Sequence, residues 1–335
     1  MKAKAEATEP EAPTQATLGR PAVYVPYARN RIALAVLRGL APYAECHTID
    51  TIRTAMCRGS RLSHGYQRLQ PDELIHVARH ILSQGNHVFP TFEESWGLRR
   101  QGLFKNILPK PEVIDRANNK WHVHNACLLA GVPTPKTEYF EACVVKPTTG
   151  RGGEGRTFHD RVIAQARAYG DSYGVGMLWH KGDIRALCSW KRVDATPQGW
   201  GITNETVIIP AQEQAAVKLM GSLGWDRGPC MVEFVGEHVI EVNPRFWGSL
   251  DLSIHAGVNF PKLVLDIMET GDCKDVLSWA PGVRSTYLAA ALLYRKRSDR
   301  HTMDFTFRDP LPFMLQFLAV GSNLLRGKGL KMEAR

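Results

Sequence analysis

The chain has 335 residues and a mass of 37.4 kDa, with 44% hydrophobic and 22% charged residues. This composition excludes a wholly disordered protein, and the length predicts about two domains. The 42 basic and 33 acidic residues give a formal net charge of +9. Such a charge suits nucleic acid, anionic lipid or a polyphosphate ligand, and by itself it does not choose among them.

Residues 1–20 are predicted to be a disordered tail, because they are polar and lack the apolar core of a secretory signal. The seven cysteines are widely spaced and form no C-x-x-C pair, which disfavours a disulfide framework and a zinc ribbon. No window reaches the roughly 18–20 apolar residues that cross a bilayer. We therefore expect a cytoplasmic protein without a transmembrane segment.

Residues 21–115 alternate between strand and helix patterns. Short apolar strands are predicted at 23–25, 46–50 and 87–90, with amphipathic helices between them. This alternation predicts a doubly wound α/β domain with a parallel sheet. No G-x-G-x-x-G motif follows the first strand, so a dinucleotide site is not supported there.

Residues 116–275 are predicted to form a second domain of mixed α and β structure. The patterns indicate one helix over 116–131, a hairpin over 175–190, a helix that starts at Pro210, and strands at 231–235 and 239–243. Residues 276–335 are predicted to be a C-terminal extension. Its last ten residues are basic and follow an apolar stretch, which suits a solvated tail or, alternatively, weak contact with acidic lipid.

A glycine-rich basic loop is predicted after a short strand at 143–145 that leads to Lys146. Its six central residues are Gly150, Arg151, Gly152, Gly153, Glu154 and Gly155, and four of them are glycine. Glycines let backbone N–H groups approach an anion closely, while Lys146 and Arg151 add positive charge. The loop therefore indicates a polyphosphate ligand, with a mobile basic turn as the alternative.

Two glutamates are predicted to face each other across the hairpin formed by strands 231–235 and 239–243. With a three-residue loop over 236–238, Val235 would oppose Val239 and Glu233 would oppose Glu241. Opposed carboxylates among apolar neighbours repel each other, and a shared hard cation removes the conflict. Asn243 adds a third oxygen ligand on the same face. The alternative is a hairpin with two solvated glutamates.

These motifs occur in a specific order. The segment K-P-x-x-G-x-G-G-x-G is followed about 80 residues later by V-E-F and then by I-E-V-N-P-R. Together they resemble the ATP-grasp superfamily, and the run N-P-R-F-W-G-S-L resembles its carboligase-type branch. The resemblance implies a doubly wound α/β domain over 21–115, followed by a two-lobed ATP-grasp domain over 116–275.

The resemblance also implies roles for individual residues. Lys120 and Lys146 would contact the phosphates of ATP, the loop from Gly150 to Gly155 would close over them, and Gln165 would begin the adenine pocket. Glu233, Glu241 and Asn243 would bind Mg²⁺, with Mn²⁺ as an alternative, and Arg245 would be the catalytic arginine. The chain departs from the usual pattern at three positions, which are Asn119, Ala166 and Arg167.

By resemblance, the protein is expected to be an ATP- and Mg²⁺-dependent ligase. A substrate carboxylate would form an acyl phosphate, and an amine or a thiol would then attack it. The alternative is a regulatory ATP-binding module of the same fold without catalysis. A nucleic-acid partner is not expected, because the basic residues are dispersed and no RNA- or DNA-binding motif occurs. The oligomeric state stays open between monomer and homodimer.

Overall fold

The N-terminal part of the chain folds around a parallel β-sheet. The computed structural model describes residues 19–53, 55–145, 157–197, 199, 201–299 and 301–325. The first elements are β1 (Ala22–Pro26), α1 (Arg31–Leu40), β2 (Glu45–Asp50), a 3-10 helix (Met56–Gly59), β3 (Gly65–Arg68), α2 (Leu74–Ser83), β4 (His87–Val88) and α3 (Glu94–Arg100). The strand order is β3-β2-β1-β4, and each strand pair is parallel.

Helices cover both faces of this sheet. Val23 and Val25 of β1 belong to the core cluster that contains α1, whereas Tyr24 packs against the cluster that contains α2. This alternation follows from the two-residue period of a strand. The predicted doubly wound α/β arrangement is therefore confirmed.

Helix α1 is apolar on almost every side, because it lies between the sheet and the second part of the chain. Asn30 caps its first turn, and its side chain accepts a hydrogen bond from the N–H of Ala33 at 2.9 Å. Leu34 shares a core cluster with Phe246 and Phe260 of the second part. This shared core fixes the first turn of α1 against the second domain.

Two helices occupy the segment for which the sequence predicted a single helix over 116–131. They are α4 (Pro111–Asn118) and α5 (Lys120–Ala130). Asn119 separates them, and its side-chain oxygen accepts hydrogen bonds from the N–H groups of Trp121 at 2.9 Å and His122 at 3.2 Å. The prediction of one continuous helix is wrong, because apolar periodicity does not reveal an asparagine that caps a new helix.

A separate two-stranded antiparallel sheet follows. Its strands are β5 (Thr137–Val145) and β6 (Thr157–Gln165). The strand predicted at 143–145 is the end of β5, and β6 was not predicted from the sequence. Lys146 and the glycine loop from Gly150 to Gly155 lie outside the described residues.

The remaining strands form one seven-stranded sheet. Its elements and neighbours are β7 (Ser172–His180), β8 (Asp183–Ala195), β9 (Gly201–Thr206), α6 (Pro210–Ser222), β10 (Gly228–Val235), β11 (His238–Asn243), α7 (Leu250–His255), α8 (Phe260–Thr270), β12 (Arg284–Thr286), α9 (Leu288–Leu293), β13 (His301–Thr302) and α10 (Leu311–Leu325). The order is β11-β10-β7-β8-β9-β12-β13, so strands of the C-terminal extension continue the same sheet. Among the helices of the described segments, none is both long and apolar enough to cross a membrane.

Candidate active site

The hairpin of β10 and β11 brings the two predicted carboxylates into opposition. Glu233 pairs with Glu241, and Met231 pairs with Asn243, so all four side chains lie on one face of the sheet. The predicted opposition of Glu233 and Glu241 is confirmed. These carboxylates form the centre around which the other candidate residues are arranged.

The predicted loop of this hairpin is wrong, although the glutamate pairing is right. Val235 pairs with His238, not with Val239, so the turn contains two residues, Gly236 and Glu237. A β-bulge then places Ile240 in β11 without a partner, because Glu233 pairs with Glu241 and the next residue, Phe234, pairs with Val239. The bulge restores the register that a longer loop would have given.

Each carboxylate is paired with a cation from a different element. Lys120 Nζ lies 2.8 Å from Glu241 Oε2, and Arg192 Nη2 lies 3.3 Å from Glu233 Oε2. Lys120 is the first residue of α5, where the capping side chain of Asn119 fixes the start of the helix. Asn119 therefore keeps the structural function that an aspartate would also perform at this position.

The environment disfavours two ionised glutamates side by side. Burial raises the pKa of Glu233 above its ordinary value, and the negative charge of Glu241 raises it further, while Arg192 and Arg245 lower it. Asn243 Nδ2 donates to Glu241 Oε1 at 3.4 Å, so the amide lies beside the carboxylate pair. Two carboxylates and an amide are hard oxygen donors, which suits Mg²⁺. The described segments hold no group of three or more His, Cys, Asp or Glu side chains that could bind a metal ion, so the amide is needed for a third protein ligand.

A cavity of about 400 Å³ opens beside the carboxylates and is lined by Glu233, Glu241, Arg192 and Trp190. Trp190 stacks on Trp247 with ring centroids 5.5 Å apart and gives the cavity an aromatic wall. The indole lies flat against β7 only because residue 174 is glycine. A Cβ atom at Gly174 would stand 2.4 Å from Trp190 Cζ2.

Arg31 extends this cavity into the N-terminal domain. It is the first residue of α1, and its guanidinium lies 4.4 Å from the ring centroid of Tyr287. Its charge also acts on Asp304, where it opposes the rise in pKa that burial causes. Sequence reasoning did not single out Arg31 or Arg192, because each is distant in sequence from the hairpin and lies outside any motif. Only the tertiary fold brings these cations to the carboxylates.

Arg245 leaves β11 after Pro244 and points toward the N-terminal domain. Its Nε lies 3.3 Å from Glu93 Oε1, its guanidinium lies 4.2 Å from the ring centroid of Phe92, and Nη1 donates to the carbonyl of Phe246 at 2.9 Å. It does not line the 400 Å³ cavity. It is close enough to Glu233 to lower the pKa of that carboxyl group.

The other predicted nucleotide-binding residues are distributed as follows. Gln165 ends β6, where its Nε2 donates to Thr137 Oγ1 at 3.1 Å, and it lines neither the cavity described above nor the one beside α5. Lys120 lines the latter, a hollow of about 450 Å³ between α5 and the β5–β6 sheet. Lys146, Arg151 and Glu154, with the glycines of their loop, lie outside the described parts of the chain. Their roles stay predictions.

Comparison with known proteins identifies a family match for the central region. Residues 117–249 match the model of the ATP-grasp domain. This range includes α5, the β5–β6 sheet, the opposed glutamates, Asn243 and Arg245. No curated protein gives a significant match to the chain.

Several solved structures have a similar fold at low sequence identity. L-amino acid ligase from Bacillus licheniformis is 15% identical with a TM-score of 0.50, covering 75% of this chain and 74% of that one. N5-carboxyaminoimidazole synthetase from Staphylococcus aureus, solved with ADP, is 13% identical with a TM-score of 0.55, covering 77% and 79%. The biotin carboxylase domain of 2-oxoglutarate carboxylase from Hydrogenobacter thermophilus, solved with MgADP, ADP and bicarbonate, is 15% identical with a TM-score of 0.57, covering 76% and 71%. At these identities the likeness is one of fold.

Proposed function

Residues 117–249 form an ATP-grasp domain, and from this premise we propose that the protein is an ATP- and Mg²⁺-dependent ligase that joins a carboxylate to an amine or a thiol. The observation that carries the proposal is the opposition of Glu233 and Glu241, with Asn243 beside them and a cation on each carboxylate. A pair of solvated glutamates would not need this enclosure.

The proposed reaction has two steps. In the first, a carboxylate oxygen of the substrate attacks the γ-phosphorus of ATP, the bond from phosphorus to the β–γ bridging oxygen breaks, and ADP leaves with that electron pair. In the second, the amine or thiol attacks the carbonyl carbon of the acyl phosphate. The bond from that carbon to the phosphate oxygen breaks, inorganic phosphate leaves, and the nucleophile releases its proton to solvent.

The residues of the chain suit the charge changes of this reaction. Glu233, Glu241 and Asn243 would hold Mg²⁺, which when bound would neutralise charge on the phosphate oxygens. Lys120 and Arg192 place positive charge at the same point, where a phosphoryl group gains negative charge during transfer. The predicted contacts of Lys146 and the closure of the loop from Gly150 to Gly155 belong to the same proposal.

Arg245 would complete the transfer site from the domain boundary. Its guanidinium is held by Glu93 and Phe92 of the N-terminal domain. A planar guanidinium binds phosphate oxygens in a bidentate manner, so this side chain suits the transferring phosphoryl group. Because the partner of Arg245 is a carboxylate, we propose that the phosphoryl group competes with Glu93 for it.

The lining of this cavity also indicates where the donor acid binds. Arg31 brings a positive charge to it, and Trp190 forms an apolar wall beside it. A half-buried guanidinium that lines a cavity favours an anionic ligand. We propose that the acid binds here, with its carboxylate toward Arg192 and the carboxylate pair.

The direct test is a screen for ADP and phosphate release with MgATP and matched pairs of acids and amines, repeated with EDTA. The proposal predicts ADP release that requires one acid together with one nucleophile and that EDTA abolishes. An ATP-binding module without catalysis would bind MgATP in calorimetry and release no ADP with any pair. That outcome would overturn the ligase proposal and favour a regulatory function.

A further inference from the structure

The last helix presents an apolar face to solvent. In α10, Pro312 and Gln316 are buried, whereas Leu311, Met314 and Leu318 are exposed at the spacing of one helix face. Leu318 is 67% exposed and Met314 is 56% exposed. No Asp, Glu, Lys or Arg occurs in α10. Over residues 311–318, whose side chains the structure describes, the outward face of this helix is therefore apolar where a surface helix usually is polar.

The apolar surface continues beyond the helix. Phe307 precedes α10 and is 90% exposed, and its ring packs edge-on against Phe305 at 5.0 Å between centroids. Phe305 contacts Phe313 at 5.2 Å, and Phe313 contacts Phe317 of the helix at 4.8 Å. We call the surface formed by Phe307 and the outward face of α10 the C-terminal apolar patch. Contiguous apolar surface of this kind marks an interaction site more often than single exposed residues do.

The exposed charge next to this patch is basic. Arg308 is exposed between Phe307 and α10, whereas the neighbouring Asp309 is buried. The ten residues that follow α10 in the sequence, RGKGLKMEAR, contain four basic residues and one acidic residue. An apolar surface with a basic margin is complementary to a surface that is apolar inside and anionic outside.

These charges select among possible occupants. A second copy of the chain, pairing through the same patch in a two-fold interface, would bring the basic margins together and repel. The 15 residues of α10 that the structure describes are fewer than a bilayer span needs, but they are enough to lie along its interface. We propose that the C-terminal apolar patch docks this protein onto an anionic lipid surface, with α10 parallel to the membrane plane.

The docked helix would lie near the candidate active site. Gln316, on the buried side of α10, donates its Nε2 hydrogen to the hydroxyl of Tyr287. The ring of Tyr287 supports Arg31, which lines the 400 Å³ cavity. Two side chains therefore connect the lipid-facing helix with the cavity. The docking proposal rests on the patch alone and does not depend on the proposed ligase activity.

The test is flotation of the full-length protein with two kinds of vesicle, one of phosphatidylcholine and one of equal parts phosphatidylcholine and phosphatidylglycerol. We expect binding to the anionic vesicles only, and weaker binding as salt is added. Leu318→Glu and Phe307→Ser should each lower the partition coefficient about tenfold or more. Leu129→Glu is the matched control, because Leu129 is 89% exposed on α5, and it should bind like the parent.

Three results would overturn the proposal. They are absence of parent binding to anionic vesicles, equal binding of Leu318→Glu and Leu129→Glu, and equal binding to both kinds of vesicle. Sedimentation velocity provides a fourth. If the parent is a dimer that Leu318→Glu and Phe307→Ser dissociate, the patch is covered by a second copy. Circular dichroism of each variant checks that the fold is retained, and Phe307→Ser leaves the sequence of α10 unchanged.

Discussion

Lys120 and Glu241 form an ion pair that joins the start of α5 to strand β11, with Nζ 2.8 Å from Oε2. The lysine side chain is 56% exposed and lines the hollow beside α5, whereas Glu241 lines the 400 Å³ cavity. A pair this exposed contributes roughly 0–1 kcal/mol to the free energy of unfolding. Its value therefore lies in placing a positive charge at the carboxylates.

Replacing Lys120 should affect nucleotide binding much more than stability. Lys120→Gln removes a charge that we place at the phosphates, so the affinity for MgATP should fall about tenfold or more. Isothermal titration calorimetry measures the affinity, and urea unfolding should show little change. Lys218→Gln is the control, since Lys218 is exposed on α6 and away from the cavity. Equal affinities in the two variants would move the phosphate site elsewhere.

Replacing Arg31 should weaken binding of the acid and leave the affinity for ATP unchanged. Once a turning-over acid is known, Arg31→Gln should raise its KM about tenfold or more, because the guanidinium lines the cavity where we place the acid. Steady-state kinetics with each substrate varied in turn separates the two effects. Arg31→Lys should recover part of the loss. A rise confined to the KM for ATP would contradict the placement of the acid.

Gly174 should be intolerant of a side chain, because its missing Cβ makes room for Trp190 at the cavity wall. We expect Gly174→Ala to cost about 1–3 kcal/mol in free energy of unfolding and to raise the KM for the acid. Gly221→Ala is the control in helix α6, where a Cβ would meet nothing within 4 Å. That change should be neutral or slightly stabilising. Thermal unfolding compares the stability of the two variants, and steady-state kinetics compares their KM for the acid. Equal stability and equal KM would show that Trp190 has room to move.

Glu94 should make stability fall as the pH rises. Burial raises the pKa of Glu94 from 4.5 to about 8, and its Oε2 has no hydrogen-bond partner among the described residues. The folded protein therefore holds a proton that the unfolded chain releases, so folding loses stability between these two pH values. Oε1 accepts from the N–H of Phe92 at 2.9 Å, an interaction that the amide oxygen of glutamine can keep.

Glu94→Gln should accordingly stabilise the protein near about pH 9 by at least about 1 kcal/mol and have little effect near about pH 5. Urea unfolding at the two pH values measures the difference. Glu112→Gln provides the control, since Glu112 is also in the first turn of a helix but is exposed. If both variants show the same dependence on pH, the raised pKa of Glu94 is wrong.

The sequence predicted what local patterns determine. The parallel sheet followed from alternating apolar segments, and the opposition of Glu233 and Glu241 followed from strand alternation within one hairpin. The predicted length of the loop that closes this hairpin was wrong, because a two-residue period does not reveal the bulge at Ile240. The break at Asn119 was missed for a similar reason, since helix caps depend on one side chain.

Long-range arrangement accounts for the rest. Strand β9 and the strands β12 and β13 are short, and no motif marks them. Arg192 reaches Glu233 from 41 positions away, and Arg31 reaches the cavity from the other domain. Such contacts follow from how sheets and helices pack. From the sequence alone, only the excess of basic over acidic residues could indicate them.

The most direct measurement of the central claim compares Glu241→Gln with Glu237→Gln. Both remove one negative charge from the same hairpin, but Glu237 is exposed in the turn, whereas Glu241 opposes Glu233. We predict that Glu241→Gln loses Mg²⁺-dependent ADP release by more than about a hundredfold, with circular dichroism and unfolding unchanged, and that Glu237→Gln turns over like the parent. Parent-like ADP release by Glu241→Gln would contradict the account.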